Sequence, residues 1–539
     1  MRNMLCTTLD RSWTHDEHQT DNLFKLIGSL YLGTFLVALD TTILGTVIPS
    51  ISSVFHALDD IAWYGSAYLL TLTALQPTFG KLYKIFDTKT LYLASIVVFE
   101  VGSTLCASAP SSVVFIIGRA VAVCGAAGLM RSFAIVTKTV PLARRQFYFG
   151  LFVSAFGVSI GVGPVLGGLL ADRGIWRWCF WINLPLGAIV FTLVAILLKL
   201  KDDKVAKQHR GNSLSQRSFQ LDIAGSILLI ASMTSLFLAM QWGGLRLPWT
   251  SPTVAGLLTL SGVLLALFIL WEWRMGDEAS IPFRILRQRS TAFGVVYIFM
   301  FSFPNFAYGV YLPMFFQAVK DFSAQRSGAE TLFLALTQIL AVVVVGALDS
   351  KFGYYTPFII GGTAFNMVGS GLITLLDFET SHAARAAYFV LCGIGTGCTI
   401  NLPYTAISTS LDENDMVTGN ALFQFAFQLG GAISLCISQT LFIDRLAGNV
   451  NSELHGVAIE AIVDAGAFNL QSLVSSQAQL RALRLSYRDA IRDVFVLLLV
   501  ASGLALIAAL GFEHKNVRKV ERERKVDGEQ KGSHGGEDC

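Results

Sequence analysis

The chain has 539 residues, of which 53% are hydrophobic and 14% charged, against about 45–50% and about 25% in ordinary soluble domains. So few charges exclude a conventional soluble enzyme, whose surface would need more of them. A net charge of +3 implies no polyanionic partner such as nucleic acid, and the eight cysteines form no CxxC pair, so neither a disulfide framework nor a zinc site is supported.

Apolar segments long enough to cross a hydrocarbon core of about 30 Å, which takes roughly 20 helical residues, recur from residue 24 to residue 511. In chain order the predicted spans are 26–48, 61–82, 91–109, 112–133, 148–171, 178–198, 222–242, 253–273, 291–313, 329–348, 356–376, 386–407, 420–441 and 493–512. Gly243, Gly244, Pro248 and Pro252 crowd the connection between the seventh and eighth, and without that pair the count would be twelve. The first span is too long for a signal-peptide core and is followed by no small-residue cleavage site, so it is expected to stay in the protein.

Lys and Arg gather in the loops after the even-numbered spans and in the C-terminal tail, at Lys515, Arg518, Lys519, Arg522, Arg524 and Lys525. Short cytoplasmic loops retain basic residues, so both termini are expected in the cytoplasm. The connection 443–492 is the long exception on the outer side. Its Arg481, Arg484, Arg488 and Arg492 repeat at helical spacing, either as an amphipathic interfacial helix or as a solvated charged face. From Lys515 onward the tail reads as disordered, being rich in Gly, Glu and Lys without apolar periodicity.

One loop signature repeats. Gly80-Lys81-Leu82-Tyr83-Lys84-Ile85-Phe86-Asp87 follows the second span, and Gly346-Ala347-Leu348-Asp349-Ser350-Lys351-Phe352-Gly353 follows the tenth. If spans 1–6 and 9–14 are two six-helix bundles, both signatures fall between the second and third helix of their bundle. The expected organisation is therefore all-α: a cytoplasmic tail over 1–23, a bundle over 24–200, a linker and two inserted helices over 201–275, a second bundle over 276–512, and a disordered cytoplasmic tail over 513–539.

All eight histidines lie outside the spans, so proton chemistry within the membrane must use carboxylates. Only Asp40 and Glu100 lie well inside spans. Such residues are costly in lipid and usually serve ion pathways; a purely structural hydrogen bond or ion pair is the alternative. Arg119 cannot discharge at physiological pH and needs a partner when buried. Its depth is similar to that of Asp40, so it is expected to modulate the proton affinity of Asp40; bonds to helix carbonyls are the alternative. In the fifth span the pairs Gly157/Gly161 and Gly163/Gly167 are spaced for close helix contact, as seals within a carrier or as dimer packing, and Pro164 and Gly168 adjoin them. The neutral polar residues Gln76, Asn305, Asn401, Gln424 and Gln428, with Tyr308, Tyr311, Phe423 and Phe427, are candidates for a substrate cavity suited to an amphipathic organic molecule; hydrogen bonding between helices for the polar residues, and lipid or core packing for the aromatic ones, are the alternatives. No Gly-x-x-x-x-Gly-Lys-Ser/Thr, His-Glu-x-x-His or Gly-x-Ser-x-Gly occurs, which disfavours an ATP-driven pump or an intramembrane enzyme.

Several motifs carry a resemblance. Leu39-Asp40-Thr41-Thr42-Ile43 with Pro49, Gly118-Arg119 with Gly125-Ala126-Ala127-Gly128, the run Gly157 to Gly168, and Trp176-Arg177-Trp178-Cys179-Phe180-Trp181-Ile182-Asn183-Leu184-Pro185 together resemble the fourteen-helix drug:proton antiporter branch of the major facilitator superfamily, in particular filamentous-fungal toxin efflux pumps. The resemblance extends to Gly353-Tyr354-Tyr355-Thr356-Pro357 and to 424–439. One departure stands out: Lys84 and Asp87 replace an aspartate and a glycine of the wider family's loop motif. The resemblance implies two six-helix bundles plus two inserted helices. It also implies a monomeric carrier without cofactor or metal, at the plasma membrane or in an internal one, that exports a toxin, secondary metabolite or drug in exchange for protons. A proton-coupled uptake symporter of the same fold, for instance a siderophore importer, is the alternative, since fold alone does not fix direction.

Overall fold

A computed structural model describes residues 25–44, 61–130, 132–140, 142–198, 222–243, 247–276, 281–322, 324–453 and 476–524, together with 47, 48, 51, 54, 55, 279 and 470. The N-terminal tail, the 201–221 linker, most of 454–475 and the final residues 525–539 lie outside this set. The described chain is helical: α1 (Lys25–Leu44), α2 (Ile61–Ile85), α3 (Thr88–Ser108), α4 (Ser112–Leu129), α5 (Ser132–Thr139), α6 (Leu142–Asp172), α7 (Trp178–Trp181) and α8 (Asn183–Leu197) come first. Then follow α9 (Ile223–Trp242), α10 (Pro252–Met275), α11 (Phe283–Leu286), α12 (Arg289–Ala318), α13 (Ala324–Phe352), α14 (Thr356–Ile373), α15 (His382–Thr399), α16 (Leu402–Ser410), α17 (Glu413–Glu453) and α18 (Gln477–Ala509).

Thirteen stretches among the described residues are long and apolar enough to cross a membrane. The segment expected at 61–82 is a helix of 25 residues, α2, but is not among them. Its Tyr64, Tyr68, Thr73 and Gln76 are all buried, so its polarity faces protein rather than lipid.

Helix starts follow local chemistry. Ser111, Ser251, Ser381 and Ser476 each accept a hydrogen bond from the backbone N–H three residues on, at the starts of α4, α10, α15 and α18. Asp87 does the same for α3. Asp222 opens α9 in the left-handed region, at φ 49°, and its carboxylate accepts from Gly225 N and from Trp271 Nε1 at the far end of α10. Halfway along, Ser232 donates to the Ser261 carbonyl, so α9 and α10 form a hairpin tied at two levels.

The contacts divide the chain into two compact units, one of Met1–Leu75, Lys81–Pro141 and Leu151–Leu221, the other of Gln76–Gly80, Leu142–Gly150 and Asp222–Cys539. In the first, α3 and α4 cross at glycine: a Cβ on Gly102 would overlap the Ala122 backbone, and one on Gly125 the Phe99 backbone. In the second, α14 and α15 do likewise, with Gly369 against Cys392 and Gly395 against Asn366. Small residues are what let membrane helices approach so closely. Rings of Phe55, Tyr64, Phe115, Trp176 and Phe180 fill one end of the first unit, with centroids 5.2–6.4 Å apart.

Four expectations change. The twelfth expected span, 386–407, is two helices, α15 and α16, interrupted at Ile400 and Asn401 just before Pro403, whose ring is accommodated in the first turn of α16. The thirteenth, 420–441, extends to 413–453, so the start of the long outer connection is helix. Arg481, Arg484, Arg488 and Arg492 stand on no separate interfacial helix; they occupy the first turns of α18. There Arg484 reaches Asp321 at 2.8 Å and Arg488 reaches Asp377 at 3.2 Å, so ion pairs to neighbouring loops take up two of the four charges, while Arg481 and Arg492 are exposed. Finally, the tail expected to be disordered from Lys515 is helical over 517–524. Val517 N donates to Gly353 O, Arg518 to Ser350 O, and Arg524 to the carbonyls of Ser408 and Leu411, which caps the C-terminal ends of α13 and α16.

Candidate functional site

Helices of the first unit converge on a buried charge. Arg119 on α4 donates from Nη1 to Asp40 Oδ2 on α1 at 2.6 Å, and both side chains are 1% exposed. A guanidinium this deep is possible because its neighbours on α4 are small: Gly118 lies against Cys106, and Ala122 lies in the groove left by Gly102. Tyr68 of α2 completes the site, with its ring centroid 4.7 Å from the Arg119 guanidinium carbon. The aromatic face takes up positive charge that Asp40 engages from another side.

Hydrogen bonding here is incomplete. Among the described residues Asp40 Oδ1, Arg119 Nε and the Tyr68 hydroxyl are all buried without a partner, although buried polar atoms almost always have one. The site therefore retains one free acceptor and one free donor beside the ion pair, plus a hydroxyl that can serve as either. Removing one partner of such a pair typically costs about 3–5 kcal/mol, because a lone charge stays buried.

The backbone around Asp40 is held by its own motif. Thr41 and Thr42 donate back to Ala38 O, at 2.7 Å and 3.1 Å, and Thr42 Oγ1 also lies 2.9 Å from Ser159 O on α6. A Cβ on Gly163 would overlap that threonine hydroxyl, so Gly163 is the point at which α6 closes on α1. The other motif positions differ among themselves. Gly161 and Gly168 meet nothing within 4 Å, Gly167 is buried, Gly157 is half-buried, and α6 continues as helix through Pro164.

Glu100 makes no bond to this pair. Its carboxyl lies across Gly187 of α8, with both oxygens buried and without a partner among the described residues.

The cavity candidates have separate fates. In the second unit Tyr404 donates to Gln424 Oε1 at 2.9 Å and its ring lies 6.0 Å from that of Phe423, so Phe423 and Gln424 share one cluster. Phe427 stacks obliquely on Phe306, at 5.4 Å. Asn305 donates to Phe301 O within its own helix. Asn401 Nδ2 and Gln428 Oε1 are buried without partners among the described residues, which leaves them able to bond a ligand. Tyr308 and Tyr311, by contrast, belong to the hydrophobic core, Tyr308 donating to Ser370 at 2.8 Å and Tyr311 lying against Phe442. Gln76 is fully buried.

Three further features have no mark in the sequence pattern. Tyr68 is one of several tyrosines on α2, and no local pattern marks the one that meets Arg119. Glu330 and Arg385, both buried and 2.9 Å apart, sit at the edges of the predicted spans 329–348 and 386–407. Asp349 is buried too, at 3% exposure, so the carboxylates within apolar helices are more numerous than Asp40 and Glu100.

Comparison with known proteins bears on this geometry. The family model of the Major Facilitator Superfamily matches residues 30–435. The MFS-type transporter VdtG of Byssochlamys spectabilis is 37% identical over 497 residues, covering 92% of this chain and 88% of the relative. The efflux pump aflT of Aspergillus parasiticus is 37% identical over 500 residues, covering 92% of this chain and 96% of the relative. Among solved structures, the human organic anion transporter MFSD10 matches with a TM-score of 0.55 at 13% identity, over 88% of this chain and 99% of that one, which shows a common fold.

Proposed function

Because the chain belongs to the Major Facilitator Superfamily, we propose that it is a secondary active transporter exporting a small amphipathic organic molecule, a toxin, other secondary metabolite or drug, in exchange for protons by alternating access. It is a multi-pass membrane protein, and the proposal places it in the plasma membrane as a monomer. A similar chain named as an efflux pump supports the outward direction. The aromatic and amide cluster of Tyr404, Phe423 and Gln424 suits an amphipathic cargo.

One observation carries the proton part: the buried Asp40–Arg119 pair with its free carboxylate oxygen. Ionised Asp40 holds Arg119 through Oδ2. A proton arriving at Oδ1 neutralises the carboxyl without first displacing the guanidinium, and the pair then keeps only a hydrogen bond to a neutral group. Arg119 stays charged and is left with the Tyr68 ring as its main electrostatic partner. Loading and unloading the proton thereby changes the strength of the α1–α4 tie, which is what a coupling residue must do.

The test uses inside-out vesicles with an acid lumen and a panel of fluorescent amphiphiles. Proton-driven accumulation is expected in the wild type and is expected to be abolished in Asp40→Asn, with membrane insertion unchanged. Full residual activity in Asp40→Asn refutes the coupling role, and accumulation by intact cells instead of vesicles refutes export.

A further inference from the structure

The seam between α3 and α8 holds an ionisable group that the Asp40–Arg119 pair does not use. These helices run antiparallel, as three facing pairs show: Asn183 Nδ2 donates to Ser103 Oγ at 3.1 Å, Glu100 lies over Gly187, and Lys89 Nζ donates to Ala195 O at 2.6 Å. Asn183, Gly187, Val190 and Val194 form the buried face of α8. At the middle pair a Cβ on Gly187 would overlap the Glu100 carboxyl, so the missing side chain is the notch in which that carboxyl sits.

Nothing in the notch suits a negative charge. Among the described residues both carboxyl oxygens are shielded and unpartnered, and the facing helix has no titratable residue from Asn183 to Leu197. The one unfilled buried polar side-chain atom on that helix is Asn183 Oδ1, an acceptor one turn from Gly187. An acceptor can serve a protonated carboxyl, never an ionised one. Among the described residues the titratable groups of the surrounding elements offer no relief. Asp40 on α1 is of like charge, and the guanidinium of Arg119 on α4 is already engaged by Asp40. On α3 itself, Lys89 is held at the helix start by Ala195 O, and Tyr92 and Cys106 have no cationic form to offer. An unpaired carboxylate here would bear the full cost of burying a charge in an apolar seam.

We propose that Glu100 is a proton-carrying site of its own, neutral while seated against Gly187, and that losing its proton drives the carboxyl out of the notch and loosens the α3–α8 seam. The chemistry balances simply: one O–H bond forms on binding and breaks on release, with the proton exchanged with water. This deepens the proposed function by adding a second proton site, and it rests on that reading only for the use the cell makes of the proton.

The test needs neither substrate nor gradient. The purified full-length chain in lipid nanodiscs is treated with dicyclohexylcarbodiimide, which modifies protonated carboxyls in apolar surroundings, and peptides are read by mass spectrometry across a pH series. Glu100 is expected to be modified at neutral pH, with the yield falling as the medium becomes alkaline. In Gly187→Ala, which fills the notch, the midpoint is expected to move by about one pH unit or more toward acid. Infrared spectra of wild type minus Glu100→Gln are expected to show a protonated-acid band at neutral pH. An ionised carboxylate band, absent or pH-independent labelling, or an unmoved midpoint in Gly187→Ala overturns the proposal. Failure to export with Glu100 still labelled as expected counts against the transport reading alone.

Discussion

Tyr68 touches the Arg119 guanidinium with its ring and leaves its hydroxyl unpartnered, so the two parts of one side chain can be tested apart. Tyr68→Phe keeps the ring face and is expected to preserve the fold and most transport. Tyr68→Leu removes the cation–π contact, which contributes about 2 kcal/mol when desolvated, and is expected to lower the thermal unfolding midpoint and shift the pH profile of transport. Equal pH profiles for the two variants would remove Tyr68 from the site. Arg119→Ala leaves Asp40 buried without a counter-ion, a loss of about 3–5 kcal/mol if the carboxylate stays ionised. The double variant Arg119→Ala/Asp40→Asn is therefore expected to unfold at a higher temperature than Arg119→Ala alone, and the reverse order would show that the pair is not coupled. That Asp40 and Arg119 meet was legible from their similar depth and the scarcity of charge in the spans. Tyr68 was not, because tyrosine is common on a moderately polar helix and only packing selects which ring covers the cation.

Gly161 and Gly163 are two residues apart on α6, yet a Cβ at Gly161 meets open space while one at Gly163 overlaps the Thr42 hydroxyl of α1. Gly161→Ala is expected to change stability by under about 0.5 kcal/mol, whereas Gly163→Ala is expected to cost about 1–3 kcal/mol. Denaturation midpoints in detergent check this, and equal midpoints count against a close α1–α6 contact. The spacing of the motif alone made every glycine look equivalent; which one matters depends on the rotation of α6 about its axis, which spacing does not encode.

The start of α18 offers a pH test. Burial works against ionisation of Asp377, but the Phe378 amide at 2.7 Å and Arg488 at 3.2 Å outweigh it and hold the carboxyl below its usual range. Such a group supplies stability above the unfolded carboxylate value, near about 4, and loses it as pH falls through the lower folded value. Acidification through that range is expected to lower the unfolding midpoint less in Asp377→Asn than in the wild type. An identical acid response in both would mean that this junction does not contribute.

At the scale of the whole chain, the spans were legible because lipid imposes a length and a composition on each. What the apolar pattern left hidden were continuities and breaks: α18 carries a charged start into a membrane helix, and α15 stops at Thr399, ahead of Asn401 and Pro403. Hydropathy ends where charge begins, even when the helix does not. The ordered tail was hidden for a similar reason, since Arg518 and Arg524 find their partners on backbone carbonyls that have no sequence signature. Truncation before Val517 is expected to lower the thermal midpoint, and full stability of the shortened chain would show that these contacts are idle.

The α9–α10 hairpin has a bearing on how the protein is made. Its ties, Asp222 to Trp271 and Ser232 to Ser261, both lie within the hairpin, and α10 turns Leu258, Leu260, Val263, Leu267, Ile269 and Leu270 outward. The two helices can satisfy each other before any later segment has left the ribosome. They are thus equipped to enter the bilayer together as a preassembled pair during synthesis.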